Sequence, residues 1–283
     1  MRKHKINALL LLILIVGLSL LLYPPVSNWW NSMRQSRVML SYADAISKID
    51  NDTYKQILED ARAYNKYVAS KGGGGWAFTD AEQAEYNSLL NVDGTGVMGY
   101  IEIQKINCTL PIYHGTSDGV LQIAIGHNEG TSLPVGGESS HCVLSGHRGL
   151  PSARLFTDLD QMGVGDTFII NTLDEVLTYE VDQVHIVLPH EISELRIEPG
   201  KDLCTLLTCT PYGINSHRLL VRGHRIDTVR QSDIRVTADS IQVDPPLVAL
   251  FIGAPILLLL TLAVLLLPLK SRKQTEIEED IEL

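Results

Sequence analysis

The chain has 283 residues, 45% of them hydrophobic, which is ample for a packed core in one large domain or two small ones. Its 33 acidic against 23 basic side chains leave a formal net charge of -10, which excludes the basic surface that a nucleic-acid partner requires. Two stretches are too apolar for any soluble core, so a purely soluble protein is excluded as well.

The first stretch, Ile6 to Tyr23, carries no formal charge and is about long enough to cross a ~30 Å hydrocarbon layer as a helix. It follows Arg2, Lys3 and Lys5, which is also how a cleaved signal peptide begins. No small-x-small cleavage site follows, and the next residues, "YPPVSNWW", put Tyr23, Trp29 and Trp30 where a membrane interface favours aromatic rings, so an uncleaved anchor is the preferred reading. The second stretch, Leu247 to Leu269, is again uncharged and precedes Lys270, Arg272 and Lys273. Positive charge at both extreme ends predicts two spans with both termini cytoplasmic, an exterior region from about Ser27 to Pro245 and a solvated acidic tail "EIEEDIEL".

Residues 35 to 69 are rich in Ala, Leu, Lys, Glu and Gln and contain no Pro or Gly, which predicts one or two helices with a break near Asn51 and Asp52. Gly72 to Gly75 end that pattern, and "AEQAEYNSLLN" has the composition of a further short helix. From Gly99 onward the chain consists of short β-type runs between Gly, Pro and Asn turns: "GYIEIQKINCTLPIY", "SHCVLSGH", "DTFIINT", "VLTYEVDQVHIVLP", "DLCTLLTC" and "RLLVRGHRI". Regular long helices between them are lacking, so the spacing favours a closed or partly closed β-barrel over a βαβ sheet.

Candidate chemistry is concentrated in "HCVLSGHRGLP" (141 to 151) and "TLLTCTPYGINSHRLLVRGHR" (205 to 225). A cysteine nucleophile needs a thiolate, a proton partner and a group that stabilises charge on a carbonyl oxygen, and Cys209, His147 and Arg218 are the candidates for those roles. If the two runs flanking "TPYGINSH" pair as antiparallel neighbours, Arg218 lies beside Cys209, whereas Arg222 is four residues, roughly 13 Å, farther along at about 3.3 Å per residue. Among the histidines, His147 ends a strand and opens onto a glycine-rich loop, while His141 begins that strand. The remaining histidines, His114, His127, His185, His190 and His224, read as surface or hydrogen-bonded residues, Arg222 and Arg225 as ion-pair partners, and His217 as a candidate for shaping the cleft. Asp158 or Asp160 is a candidate for orienting His147.

The pattern Thr-Leu-x-Thr-Cys at 205 to 209, the following "TPYGINSHRLLVRGHR", and "LSGHRGLP" at 144 to 151 resemble the sortases, and more narrowly the class C, pilin-polymerising sortases of Gram-positive bacteria. The resemblance extends to "LLNVDGTGVMGYIEI", "LPIYHGTS" and "GHNEGTSLPVGGESSH". It implies a sortase-type closed β-barrel with an N-terminal helical region and a transmembrane helix at each end, and catalytic roles for Cys209, His147 and Arg218. It also implies a transpeptidase that cleaves an LPXTG-type sorting signal through a thioacyl enzyme and joins it to a lysine of a pilin subunit, with no metal or organic cofactor. Relatives of this class carry a lid with an Asp-Pro-aromatic motif. The corresponding "KGGGGWAFTDAEQ" has no Asp-Pro pair, so Trp76 or Phe78 is left to supply the ring and Asp80 the carboxylate, in a candidate lid at 71 to 80 with a glycine hinge; a mobile surface loop is the alternative.

The implied domain plan is 1–26 anchor, 27–98 helical region with the lid, 99–232 catalytic barrel, 233–246 linker, 247–269 second span and 270–283 tail. Cys142 lies five residues before His147 and Cys204 five before Cys209, so parallel strands with His147 and Cys209 level also bring the first pair together; two buried thiols, a disulfide and a zinc site all stay open. Cys108 reads as a buried strand residue. A housekeeping sortase acting on cell-wall peptide, a cysteine peptidase passing the acyl group to water, and a non-enzymatic bitopic scaffold are the rival functions.

Overall fold

A computed structural model describes residues 2–72 and 78–228, together with Gly253, Pro255, Leu258 and Leu259. The expected linker, second span and cytoplasmic tail therefore lie outside the described residues apart from those four positions. The chain divides into two compact units, Met1–Val26 with Ser232–Leu283, and Ser27–Gln231.

In the first unit the described content is those four positions and the start of helix α1, Arg2–Ser47. Its apolar side chains are exposed, Leu20 at 72% and Leu12 at 58%, and among the described residues this is the one helix long and apolar enough to cross a membrane. Helix α1 runs on past the end of the uncharged stretch at Tyr23, through Pro24 and Pro25. Proline removes a backbone donor and normally breaks a helix interior. The boundary between the two units falls directly behind this pair, at Val26 and Ser27.

In the second unit, α1 continues to Ser47 and α2 follows as Asn51–Ser70. The expected break is present, and Asp50 is its cause: the carboxylate caps α2 by accepting from the backbone N–H of Asp52 and Thr53 at 3.0 and 2.9 Å. Leu58, Ala61, Tyr64, Asn65 and Val68 recur at three- and four-residue intervals and form the buried stripe of α2. Asn65 fastens that stripe with two bonds to the backbone of Leu133. Helix α3, Asp80–Ser88, starts with a capping box between Thr79 and Glu82.

The strands are β1 Val97–Ile103, β2 Cys108–His114, β3 Ile125–His127, β4 Ser140–Ser145, β5 Thr167–Thr172, β6 Glu175–Val187, β7 Asp202–Thr210 and β8 His217–Ile226, with a one-turn helix, α4, at Asp118–Leu121 between β2 and β3. They close into a barrel in the order β1-β2-β3-β4-β7-β8-β6-β5, which leaves no free sheet edge. The pairs β2/β3 and β4/β7 are parallel and the others antiparallel. Alternation sorts the side chains: Cys142, Leu144, Cys204, Leu206, Leu219 and Val221 join the core, so their odd or even neighbours on β4, β7 and β8 face outward. The barrel matches the expected fold class; β3 is the strand that the sequence pattern does not reveal. Tyr42 ties α1 to the barrel, its hydroxyl donating to the Met98 carbonyl at 2.7 Å and accepting from Leu173 N–H at 2.9 Å.

Candidate active site

β7 and β8 are joined by the turn 211–216, and their register sets Cys209 directly opposite Arg218. Arg222 stands opposite Thr205, at the far end of the same ladder. On the other side of β7, parallel β4 runs level with it, Ser145 opposite Leu207, and the ladder ends where Gly146 N–H donates to the Leu207 carbonyl at 3.0 Å. Two residues beyond each of these register partners are His147 and Cys209, so adjacent strand ends carry the three residues expected to do chemistry. By alternation Cys209 and Arg218 lie on the outward face, and both are partly exposed, as is His147.

Glycine before His147 has a steric cause. A Cβ at Gly146 would stand 2.6 Å from Phe156 Cδ2 and 2.9 Å from Ile125 Cγ2, closer than real side chains approach. The strand therefore passes flush against the core, and Thr208 Oγ1 donates to the Gly146 carbonyl at 2.8 Å to hold it there. The loop then doubles back, with Phe156 N–H donating to the His147 carbonyl at 3.1 Å. Gly149 takes φ +78° next to the ring of Tyr212, a backbone region that favours glycine.

Neither aspartate considered for orienting His147 bonds to it. Asp160 pairs with Arg148, and Asp158 with Arg154 and Gln161. The Arg218 guanidinium is turned toward its own turn, donating to the carbonyls of Asn215 and His217 at 3.2 and 3.1 Å. His217 itself meets Ser216 Oγ at 2.9 Å. Exposed apolar side chains flank this end of the barrel: Ile186 and Leu188 on and just past β6, whose Val187 is opposite Arg218, and Tyr212 and Ile214 in the β7–β8 turn.

Of the lid candidates, Trp76 lies outside the described residues. Phe78 packs against Tyr86, ring centroids 5.6 Å apart, and Tyr86 in turn meets His127 through its hydroxyl at 2.9 Å. Asp80 is exposed at the start of α3.

The four cysteines are free thiols. Cys142 and Cys204 are direct partners across β4 and β7, as equal offsets from His147 and Cys209 require, and both are buried. Burial pushes Cys204 well above the usual thiol range, while the adjoining Cys204 thiol and His127 ring act on Cys142 in the opposite direction. Cys108 is buried at the start of β2, and burial raises its thiol to about 12. Among the described residues no three His, Cys, Asp or Glu side chains gather as metal ligands would.

Other candidates fall into structural roles. His141 is buried, bonded to the Arg196 carbonyl at 2.8 Å and to Thr205 Oγ1 at 2.7 Å, so it anchors the loop between β6 and β7. His114 bridges the carbonyls of Gly96 and Leu89. Arg222 forms an ion pair with Asp182 and a second with Glu198. Arg148, between His147 and glycine in "GHRGL", keeps only 10% of its side chain exposed.

Barrel topology and sequence identify the class to which this architecture belongs. Residues 101–226, from β1 to β8, match the family described as Sortase domain. The structure of sortase C1 from Streptococcus agalactiae is 53% identical, aligned over 68% of this chain and 98% of that one with a TM-score of 0.66. Sortase C from Streptococcus pneumoniae is 43% identical over 68% of this chain and 97% of its own, with a TM-score of 0.61. Sortase D of Bacillus subtilis is 28% identical over 182 residues, 63% of this chain and 87% of that protein. The chain belongs to the sortase family, and its structural likeness runs to the class C members.

Proposed function

We propose that this sortase is a membrane-anchored transpeptidase that cleaves an LPXTG-type sorting signal and joins the resulting acyl group to a lysine of a pilin subunit. The observation that carries the reading is the register: Arg218 opposite Cys209 on one side of β7, and β4 level with β7 on the other, two residues short of His147. In this scheme the Cys209 thiolate attacks the carbonyl carbon of the signal's threonine, and Arg218 swings from the Asn215 and His217 carbonyls to donate to the developing oxyanion. Protonated His147 delivers its proton to the departing glycine amine, which leaves a thioester on Cys209. A lysine amine then attacks the thioester, gives its proton to His147 and forms an isopeptide bond, and the thiolate departs.

The pilin acceptor is favoured over the cell-wall peptide by the similarity to sortase C structures, one of which, from Streptococcus pneumoniae, is described in terms of pilin substrate specificity. Ile186, Leu188, Tyr212 and Ile214 offer apolar walls for the leucine and proline of the signal. The apolar half of α1 serves as the membrane anchor, and both termini lie on the cytoplasmic side with the barrel outside. Incubating the enzyme with a sorting peptide, with and without a pilin lysine acceptor, tests the reading: an isopeptide-linked product supports it. Hydrolysed peptide alone in the presence of the amine favours a peptidase, and transfer only to a cell-wall peptide amine favours the housekeeping activity.

A further inference from the structure

Arg148 has no part in the chemistry above, yet it carries a charge with only 10% of its side chain exposed. Its place follows from the strand geometry. Cys204 and Leu206 of β7 point into the core, so buried Thr210 continues the inward face of β7 and Cys209 the outward one, while His147 and Arg148 follow the end of β4 at Ser145. The guanidinium contacts two segments: it pairs with Asp160 on the segment returning from His147, and at the end of β7 and in the turn after it donates to Thr210 Oγ1 at a long 3.5 Å and lies over the Tyr212 ring at 5.8 Å.

The backbone provides no such link. Among the described residues the last backbone bond between the two strand ends is Gly146 N–H to the Leu207 carbonyl, one residue before His147 and two before Cys209. Beyond it Arg148 spans the gap. Stability alone does not account for this choice, since the Arg148 Nε–H is buried with no acceptor among the described residues, and a buried donor without a partner is destabilising. An apolar side chain of similar length fills the same space without that penalty, and Asp160, about half exposed, keeps access to water.

We propose that Arg148 is a positioning residue for the reaction: it clamps the loop bearing His147 to the strand end bearing Cys209 and so fixes the spacing of imidazole and sulfur. The inference rests on the transpeptidase reading, and the test separates the two. Full-length wild type, Arg148→Met, Arg148→Lys, Thr210→Val and Cys209→Ala are compared for steady-state cleavage of a sorting peptide and for thermal unfolding. Rates are normalised to reactive Cys209 counted with an alkylating probe.

Arg148→Met is expected to lower kcat at least tenfold with KM within about twofold and with an unfolding midpoint equal to or above that of the parent. Arg148→Lys recovers part of the loss by restoring the cation. Thr210→Val, nearly the same shape, lowers kcat several-fold, and adding it to Arg148→Met produces no further drop. An Arg148→Met enzyme with kcat within twofold of wild type overturns the proposal, as does a loss fully explained by fewer folded molecules. Should Arg148→Met not fold, a Thr210→Val enzyme with unchanged kcat overturns it equally. If Cys209→Ala cleaves the peptide as well as wild type, the transpeptidase reading itself fails, whatever Arg148 does.

Discussion

Gly146→Ala adds one methyl group at the point where β4 leaves the barrel for His147. The added carbon would stand 2.6 Å from Phe156 Cδ2 and 2.9 Å from Ile125 Cγ2. Ordinary carbon contacts begin near ~3.5 Å, so both neighbours must give by more than half an ångström. Phe156 and Ile125 are fully buried, and neither is the end of a flexible chain. Gly146 has no positive φ, so the effect is steric and not conformational. Overpacking of this kind costs about 1–3 kcal/mol. At about 2–4 °C per kcal/mol for a domain of this size, the unfolding midpoint falls by roughly 2–12 °C. The ring being pushed belongs to the residue whose N–H holds the His147 carbonyl, so peptide cleavage per folded molecule also falls. Differential scanning calorimetry with a parallel cleavage assay measures both, and Gly146→Ala/Phe156→Leu is expected to recover part of each. A variant that melts within 1 °C of the parent and cleaves at the parental rate refutes the packing argument.

Burial, reinforced by the nearby charge of Arg222, lowers the His141 pKa below that of a free imidazole. An unfolded histidine takes up its proton near pH ~6.5. The folded chain resists that proton, so the contribution to stability is complete above that pH and is lost as pH falls toward the depressed folded value. His114, lowered chiefly by burial, acts with the same sign. Melting temperature is therefore expected to fall steadily from pH 7 to pH 5, and His141→Gln to flatten that slope; an unchanged slope contradicts the assignment. Native alkylation without reductant should label Cys209 rapidly and leave Cys108, Cys142 and Cys204 protected, with all four modified after unfolding. A mass two daltons low that reverts on reduction would instead indicate a disulfide at Cys142 and Cys204. Trp76→Ala should raise hydrolysis of a short sorting peptide if residues 71–80 act as a lid, and an unchanged rate removes Trp76 from that role.

The hairpin that pairs Cys209 with Arg218 was legible in the sequence because its two strands and its turn are contiguous, and counting residues along β7 and β8 is enough to prefer Arg218 over Arg222. The level of His147 was not legible in the same way. Parallel β4 and β7 are separated by more than fifty residues, and no local pattern announces a register across such a gap; that expectation came from the resemblance alone. Three-residue β3 is too short to display alternation. The continuity of α1 ran against the ordinary effect of Pro24 and Pro25, and Phe78 against Tyr86 depends on a contact that spacing does not specify. Arg148 was overlooked for a related reason. Its low exposure comes from Asp160, Thr210 and Tyr212, contacts that the neighbouring residues in the sequence do not specify.

The proposed chemistry depends on sulfur at position 209 forming the acyl bond. Rapid quenching of the full-length enzyme with a sorting peptide, followed by proteolysis and mass spectrometry, tests this directly. The expected result is the N-terminal fragment ending in threonine, held as a hydroxylamine-labile thioester on Cys209 and absent from Cys209→Ala. Product formation with no acyl adduct at Cys209, or undiminished turnover by Cys209→Ala, contradicts it.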